Sequence, residues 1–199
     1  WSLGLVAGVA AQIALGAVTV LSHLSPPIVM AHFLLSMVLV WNSVVLEEIA
    51  QPSNDTSAPS LVSRNLRYQA LAVGAAAATV IVTGTIVTAS GPHGGDENVA
   101  RLGFSFPDVA RIHGSAVVLL VLLTLSLSIK TRRLEQCLFK RRVSIALAVT
   151  LGQAGIGYTQ YFTKLHVLLV GCHIAGATLL WIATIRLVLA SGSRQIETV

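Results

Sequence analysis

The sequence predicts an all-α polytopic membrane bundle of six spanning helices, derived from a duplicated four-helix unit. Three observations lead there. Hydrophobic residues make up 54% of the 199 and charged residues only 11%, against roughly 25% charged in a soluble domain, so most of the surface does not face water. Six apolar runs reach or approach the ~20 residues that a helix needs to cross a bilayer: 2–21, 28–46, 69–89, 112–129, 143–160 and 167–190. Finally, a pattern near the N-terminus recurs near the C-terminus.

Each run is bounded by residues that cannot stay in the apolar phase. The first stops at Ser25-Pro26-Pro27, the second at the polar stretch Glu47–Arg67, and the third at the Gly/Pro/Asp-rich stretch Ser90–Arg111. A basic run, Lys130–Arg142, and an aromatic turn, Tyr158–Lys164, divide the last three. Stretches 51–63 and 91–107 are rich in Pro, Ser, Asn, Asp and Gly and read as loops. Trp1 leads straight into apolar sequence with neither a basic n-region nor a cleavage site, so the first run does not read as a signal peptide. Cys137 lies in a basic loop and Cys172 inside an apolar run as a small core residue, which makes them poor partners for a disulfide or a metal.

The net charge of +5 does not signal nucleic acid, because the basic residues sit in short loops between apolar runs. If the first helix runs outward, the inner segments carry Arg64, Arg67, Lys130, Arg132, Arg133, Lys140, Arg141, Arg142, Arg186 and Arg194, and the outer ones only Arg101, Arg111 and Lys164. Ten against three sets both termini in the cytoplasm of a cell-membrane protein. Tyr158, Tyr161 and Phe162 then fall at the outer interface, where aromatic residues collect.

The repeat is the most informative feature. Gln12-x3-Gly16 precedes His32, and Gln153-x3-Gly157 precedes His173, at a constant offset of 141 that also relates Leu24 to Leu165. Trp41 and Trp181 close the two units nearly in register. Helices 1–2 and 5–6 are therefore one hairpin used twice. Helices 3–4 separate the copies, and the expectation is a matching helix pair upstream of residue 1.

Ionisable groups inside spans are costly and default to function. His32 lies four residues into the second run, His113 at the start of the fourth and His173 six into the sixth. All three share one depth near the outer surface. A lone intramembrane histidine often just hydrogen-bonds a neighbouring helix. Three at one depth, two of them repeat-equivalent, favour iron ligation, since two imidazoles on facing helices can hold one heme. Arg111 and Arg101, near His113, suit propionates or are ordinary interfacial cations. Gln12 and Gln153 read first as interhelical hydrogen-bonding groups, the run Gly74–Ala78 with Gly84 as close helix packing, and His23 and His166 as solvated turn residues.

Taken together, several motifs resemble the bacterial heme A synthase family, in its actinobacterial style. They are Gly84-Thr85-Ile86-Val87-Thr88-Ala89-Ser90-Gly91-Pro92-His93-Gly94-Gly95-Asp96, Arg101-Leu102-Gly103, Ile112-His113, Gly155 to Phe162 before His173, and Gly16 to Leu21 followed by Ala31 to Met37. The similarity covers essentially the whole chain. It implies an eight-helix oxidoreductase of two four-helix halves that oxidises a methyl group of heme O to a formyl group, giving heme A for terminal oxidase biogenesis. The first two helices would be missing here. It further implies heme b between His113 and His173, and His32 as an iron ligand and catalytic residue at the heme O site; Arg111 joins them as a candidate cofactor contact on its chemistry alone. On that basis residues 1–46 are the second helix pair of the substrate half, 47–68 a cytoplasmic linker, 69–190 the heme b half and 191–199 a cytoplasmic tail. The implied partners are heme O synthase, an electron acceptor or donor, and membrane lipid but no nucleic acid; a homo-oligomer is compatible.

Two other readings remain open on the residues alone. A bis-histidine electron carrier of the cytochrome b561 type needs ligand pairs near both faces, whereas these histidines gather near one. A transporter or assembly factor needs no cofactor.

Overall fold

The computed structural model describes residues 2–50, 62–92, 96, 98–134, 138–163 and 165–192. These form six helices: α1 Ser2–Leu21, α2 Pro26–Ala50, α3 Arg64–Ser90, α4 Phe106–Thr131, α5 Leu138–Phe162 and α6 Val167–Ser191. Among the described residues there is no strand. Every helix but α1 is longer than its apolar run, because polar and basic residues continue the helix past the hydrophobic stretch. Ser63 caps α3, its Oγ accepting from the Leu66 amide, so Arg64 and Arg67 lie on the helix rather than in the linker. The largest extension is at α4, which starts at Phe106, six residues ahead of the run at 112. Pro107 and Asp108 explain it. Proline fits the first helical turn, and an acid there favours the positive end of the helix dipole.

Five of the six helices are long and apolar enough to cross a membrane; α5 falls short of that standard. Its apolar run is diluted by Gln153, Gln160, three glycines and two tyrosines. Gln153, Tyr158, Gln160 and Tyr161 all line a cavity; Gln153 is buried while the two tyrosines remain half-exposed, so part of the polarity that lowers its hydropathy is turned toward the bundle.

Helices α3, α4, α5 and α6 close a four-membered ring in which each packs on the next, while the backbones of the diagonal pairs stay apart. One half of the ring is solid. Ala70, Val73 and Ala77 of α3, Leu127 of α4, Phe139 and Val143 of α5 and Leu187 of α6 are each no more than 1% exposed. In lipid, packing and not water exclusion drives helix association, so small residues that permit close approach matter most. Gly74 shows this: a Cβ there would meet Val188 Cγ2 at 3.1 Å. The other half, where α4 and α6 begin, is hollow.

The α1–α2 hairpin joins the ring through α2, which packs against α3 and α6, while α1 touches only α2. Trp181 Nε1 donates to the Met37 carbonyl at 2.9 Å. Further along, Arg186 pairs with Glu47 at 2.6 Å and Arg142 with Glu48 at 4.0 Å. These contacts show α2 and α6 running in the same direction. Thr19 is the single buried residue of α1, and Leu3, Val6, Val9 and Ile13 are exposed.

Candidate functional site

The three histidines are the seventh, eighth and seventh residues of α2, α4 and α6. At about 1.5 Å per residue they sit at one depth, roughly 9–10 Å in from the helix starts. The earlier start of α4 makes this agreement closer than the apolar runs suggest, since His113 is well inside its helix.

Each imidazole lies against a glycine of the preceding helix. A Cβ on Gly16 would come within 3.3 Å of His32 Cε1, one on Gly84 within 3.2 Å of His113 Cε1, and one on Gly157 within 3.0 Å of His173 Cε1. Gly84 thus differs from Gly74: what it accommodates is a histidine ring.

The repeat extends to backbone detail. Gln12 Nε2 donates to the His32 carbonyl at 3.2 Å, and Gln153 Nε2 to the His173 carbonyl at 2.9 Å. The turns after the first helix of each pair close alike, Leu24 N–H on the Thr19 carbonyl and Leu165 N–H on the Gln160 carbonyl, both at 2.9 Å. Leu24 and Leu165 both take left-handed backbone, φ 58° and 61°. The copies diverge in one respect. Gln12 also reaches Ser36 Oγ and lies 3.3 Å from His32 Nε2; the position equivalent to Ser36 is Ala177, and Gln153 makes no contact with the His173 ring nitrogens.

Between the helices of the ring, and walled also by Pro26, Val29, Met30 and Phe33 of α2, lies an apolar cavity of about 700 Å³, inside the range of small-molecule and cofactor sites. His113 and His173 line it from the diagonal helices α4 and α6, with Gly84 and Gly157 on the other diagonal, α3 and α5. His32 is not among the lining residues; it faces α1. The three histidines therefore divide two and one. His113 Nδ1 is 3.0 Å from Thr83 Oγ1. His173 Nδ1 and His32 Nδ1 are buried without a hydrogen-bond partner. Among the described residues no group of three His, Cys, Asp or Glu gathers to hold a bare metal ion. Two imidazoles across one apolar space can instead supply both nitrogen ligands to a planar group that brings its own remaining donors.

Arg111 is at the cavity mouth, its side chain 78% exposed and paired with Asp108 at 3.1 Å. Arg101 donates to the Pro92 carbonyl at 3.1 Å and does not line the cavity. His23 and His166 are exposed, as turn residues should be. Cys172 is exposed too, and not the small core residue its apolar surroundings suggest, because its neighbour His173 takes the inward position. Cys137 and His93 lie outside the described residues. Gln160, which lines the cavity with its Oε1 buried and unpaired, and Thr83, which stands behind His113 at Nδ1, are features that the sequence did not single out.

No protein-family model, curated protein or solved structure matches the chain.

Proposed function

We propose that this is a heme-dependent membrane oxidoreductase of the heme A synthase type, oxidising a ring methyl of heme O to a formyl group with the oxygen of water, so that four electrons and four protons leave. The reading is carried by one observation: His113 and His173 line a single apolar cavity from diagonal helices, each imidazole resting on a glycine. The residues present fit heme b. The volume suits a cofactor, the walls are apolar, and the Nδ1 of His113 is already engaged by Thr83. His113 and His173 would be the protein's iron ligands, and Arg111 would offer a guanidinium to a propionate at the mouth by exchanging its partner Asp108. When bound between two imidazoles, the heme supplies one-electron transfer without an open position for oxygen. The protein's own part there is to hold the ligands in place, with Gly84 and Gly157 as their supports, and to keep the site apolar.

In this reading His32 belongs to the substrate heme on the α1–α2 hairpin, where Gln12 would have to release the His32 ring before iron could bind. Both termini lie in the cytoplasm, the site opens toward the outer face of the cell membrane, and electrons leave to a separate acceptor. Purified protein should show a low-spin b-type visible spectrum, and cells supplied with heme O should yield heme A on pigment extraction. A spectrum without heme A would move the assignment to a bis-histidine electron carrier; no spectrum would remove heme altogether.

A further inference from the structure

Thr83 stands where it can decide which nitrogen of His113 carries the proton. Its Oγ1 is 2.9 Å from the Thr79 carbonyl, 3.1 Å from the Val80 carbonyl and 3.0 Å from His113 Nδ1. A hydroxyl has one hydrogen and can accept through its lone pairs, whereas a carbonyl can only accept. With the Thr83 hydrogen given to the backbone of its own helix, the oxygen presents a lone pair to the imidazole. Nδ1 is then the protonated nitrogen, and Nε2 is left with the lone pair a metal requires.

We propose that Thr83 is a positioning residue that fixes His113 in the Nδ1–H tautomer and raises the basicity of Nε2 as an iron ligand. This rests on the heme reading of the cavity. A hydrogen bond from Nδ1–H to an oxygen makes an imidazole a stronger donor and holds its ring angle. A stronger donor favours the oxidised metal, so Thr83 keeps the reduction potential of the bound group low. His173 has no equivalent, its Nδ1 being buried without a partner, and the two ligands are unequal. The glycine supports do not explain this difference, because both histidines have one.

The test is an equilibrium redox titration of the purified full chain with its heme, followed by visible absorption, for the native protein, Thr83→Val and Thr83→Ser. Valine keeps the shape and removes the hydroxyl; serine keeps the hydroxyl. The expected result is an upward shift of the midpoint potential, or loss of the low-spin spectrum, in Thr83→Val, with Thr83→Ser close to native. An unchanged potential in Thr83→Val with the low-spin spectrum intact overturns the inference and leaves the heme reading standing. Equal shifts or equal loss in both variants also overturn it, since packing rather than the hydroxyl would then be responsible. A native protein without low-spin heme defeats the heme reading and this inference with it.

Discussion

Gly157 and His173 are in van der Waals contact across α5 and α6, so close that a methyl group on the glycine would stand 3.0 Å from the imidazole Cε1. The same relationship joins Gly16 to His32 in the other copy of the hairpin. A glycine in a helix interior costs up to about 1 kcal/mol relative to alanine, and here the missing side chain is the space the ring occupies. Gly157→Ala should therefore displace His173 and weaken heme retention by about tenfold, the order seen when the support of a metal ligand is lost. Gly155→Ala is the matched control, because nothing lies within 4 Å of its Cβ; it should keep the native spectrum. Equal pigment in the two purified variants would contradict the role of Gly157.

The division of the histidines gives a second expectation. His113→Ala and His173→Ala should each lower the low-spin b-type signal by at least about tenfold, while far-ultraviolet circular dichroism stays helical. His32→Ala should keep that signal and lose heme O turnover, because its ring faces α1 and not the cavity. Loss of the signal in His32→Ala alone would show that the two sites are assigned the wrong way round.

Glu47 and Glu48 sit at the C-terminal end of α2, where the helix dipole disfavours negative charge. Arg186 and Arg142 offset that cost from α6 and α5. Both side chains of the closer pair are partly exposed, 31% and 47%, so its coupling in a double-mutant cycle of Glu47→Ala and Arg186→Ala should be modest, about 0.2–1 kcal/mol. Mixed-micelle unfolding of the two single variants and the double variant measures it. Strict additivity would mean that the pair does not help to hold the hairpin.

Orientation can be read by labelling. In a background lacking Cys137 and Cys172, a cysteine at Gly103 should react with an impermeant thiol reagent in intact cells, and one at Arg133 should not. The reverse pattern would invert the topology and turn the histidine end toward the cytoplasm.

The helices were legible because a bilayer demands long apolar runs, and these leave a plain trace in sequence. Their ends were not, because Arg64, Phe106 and Lys140 continue helices through residues that look like loop. The start of α4 could have been found from Ser105-Phe106-Pro107-Asp108, which carries the usual marks of a helix N-terminus. For the site, the 141-residue offset already made Gly16 and Gly157, and His32 and His173, repeat equivalents. It could not reveal that His32 and His173 face different spaces, since that follows from which helices surround each hairpin. Thr83 gave no signal at all: it is one of several threonines on α3, and only the approach of α4 distinguishes it from Thr79 or Thr88.

Two polar contacts that tie α2 to α6 join residues about 140 positions apart, Trp181 to Met37 and Arg186 to Glu47. A ribosome adding about 5–20 residues per second therefore releases the first hairpin several seconds before α6 exists to receive it. During that interval α1 and α2 have each other and, later, the side of α3, but not the tryptophan or the arginine that latches them. The latching of α2 thus waits for α6, and a ribosome that stalls before Trp181 leaves the α1–α2 hairpin inserted but unlatched.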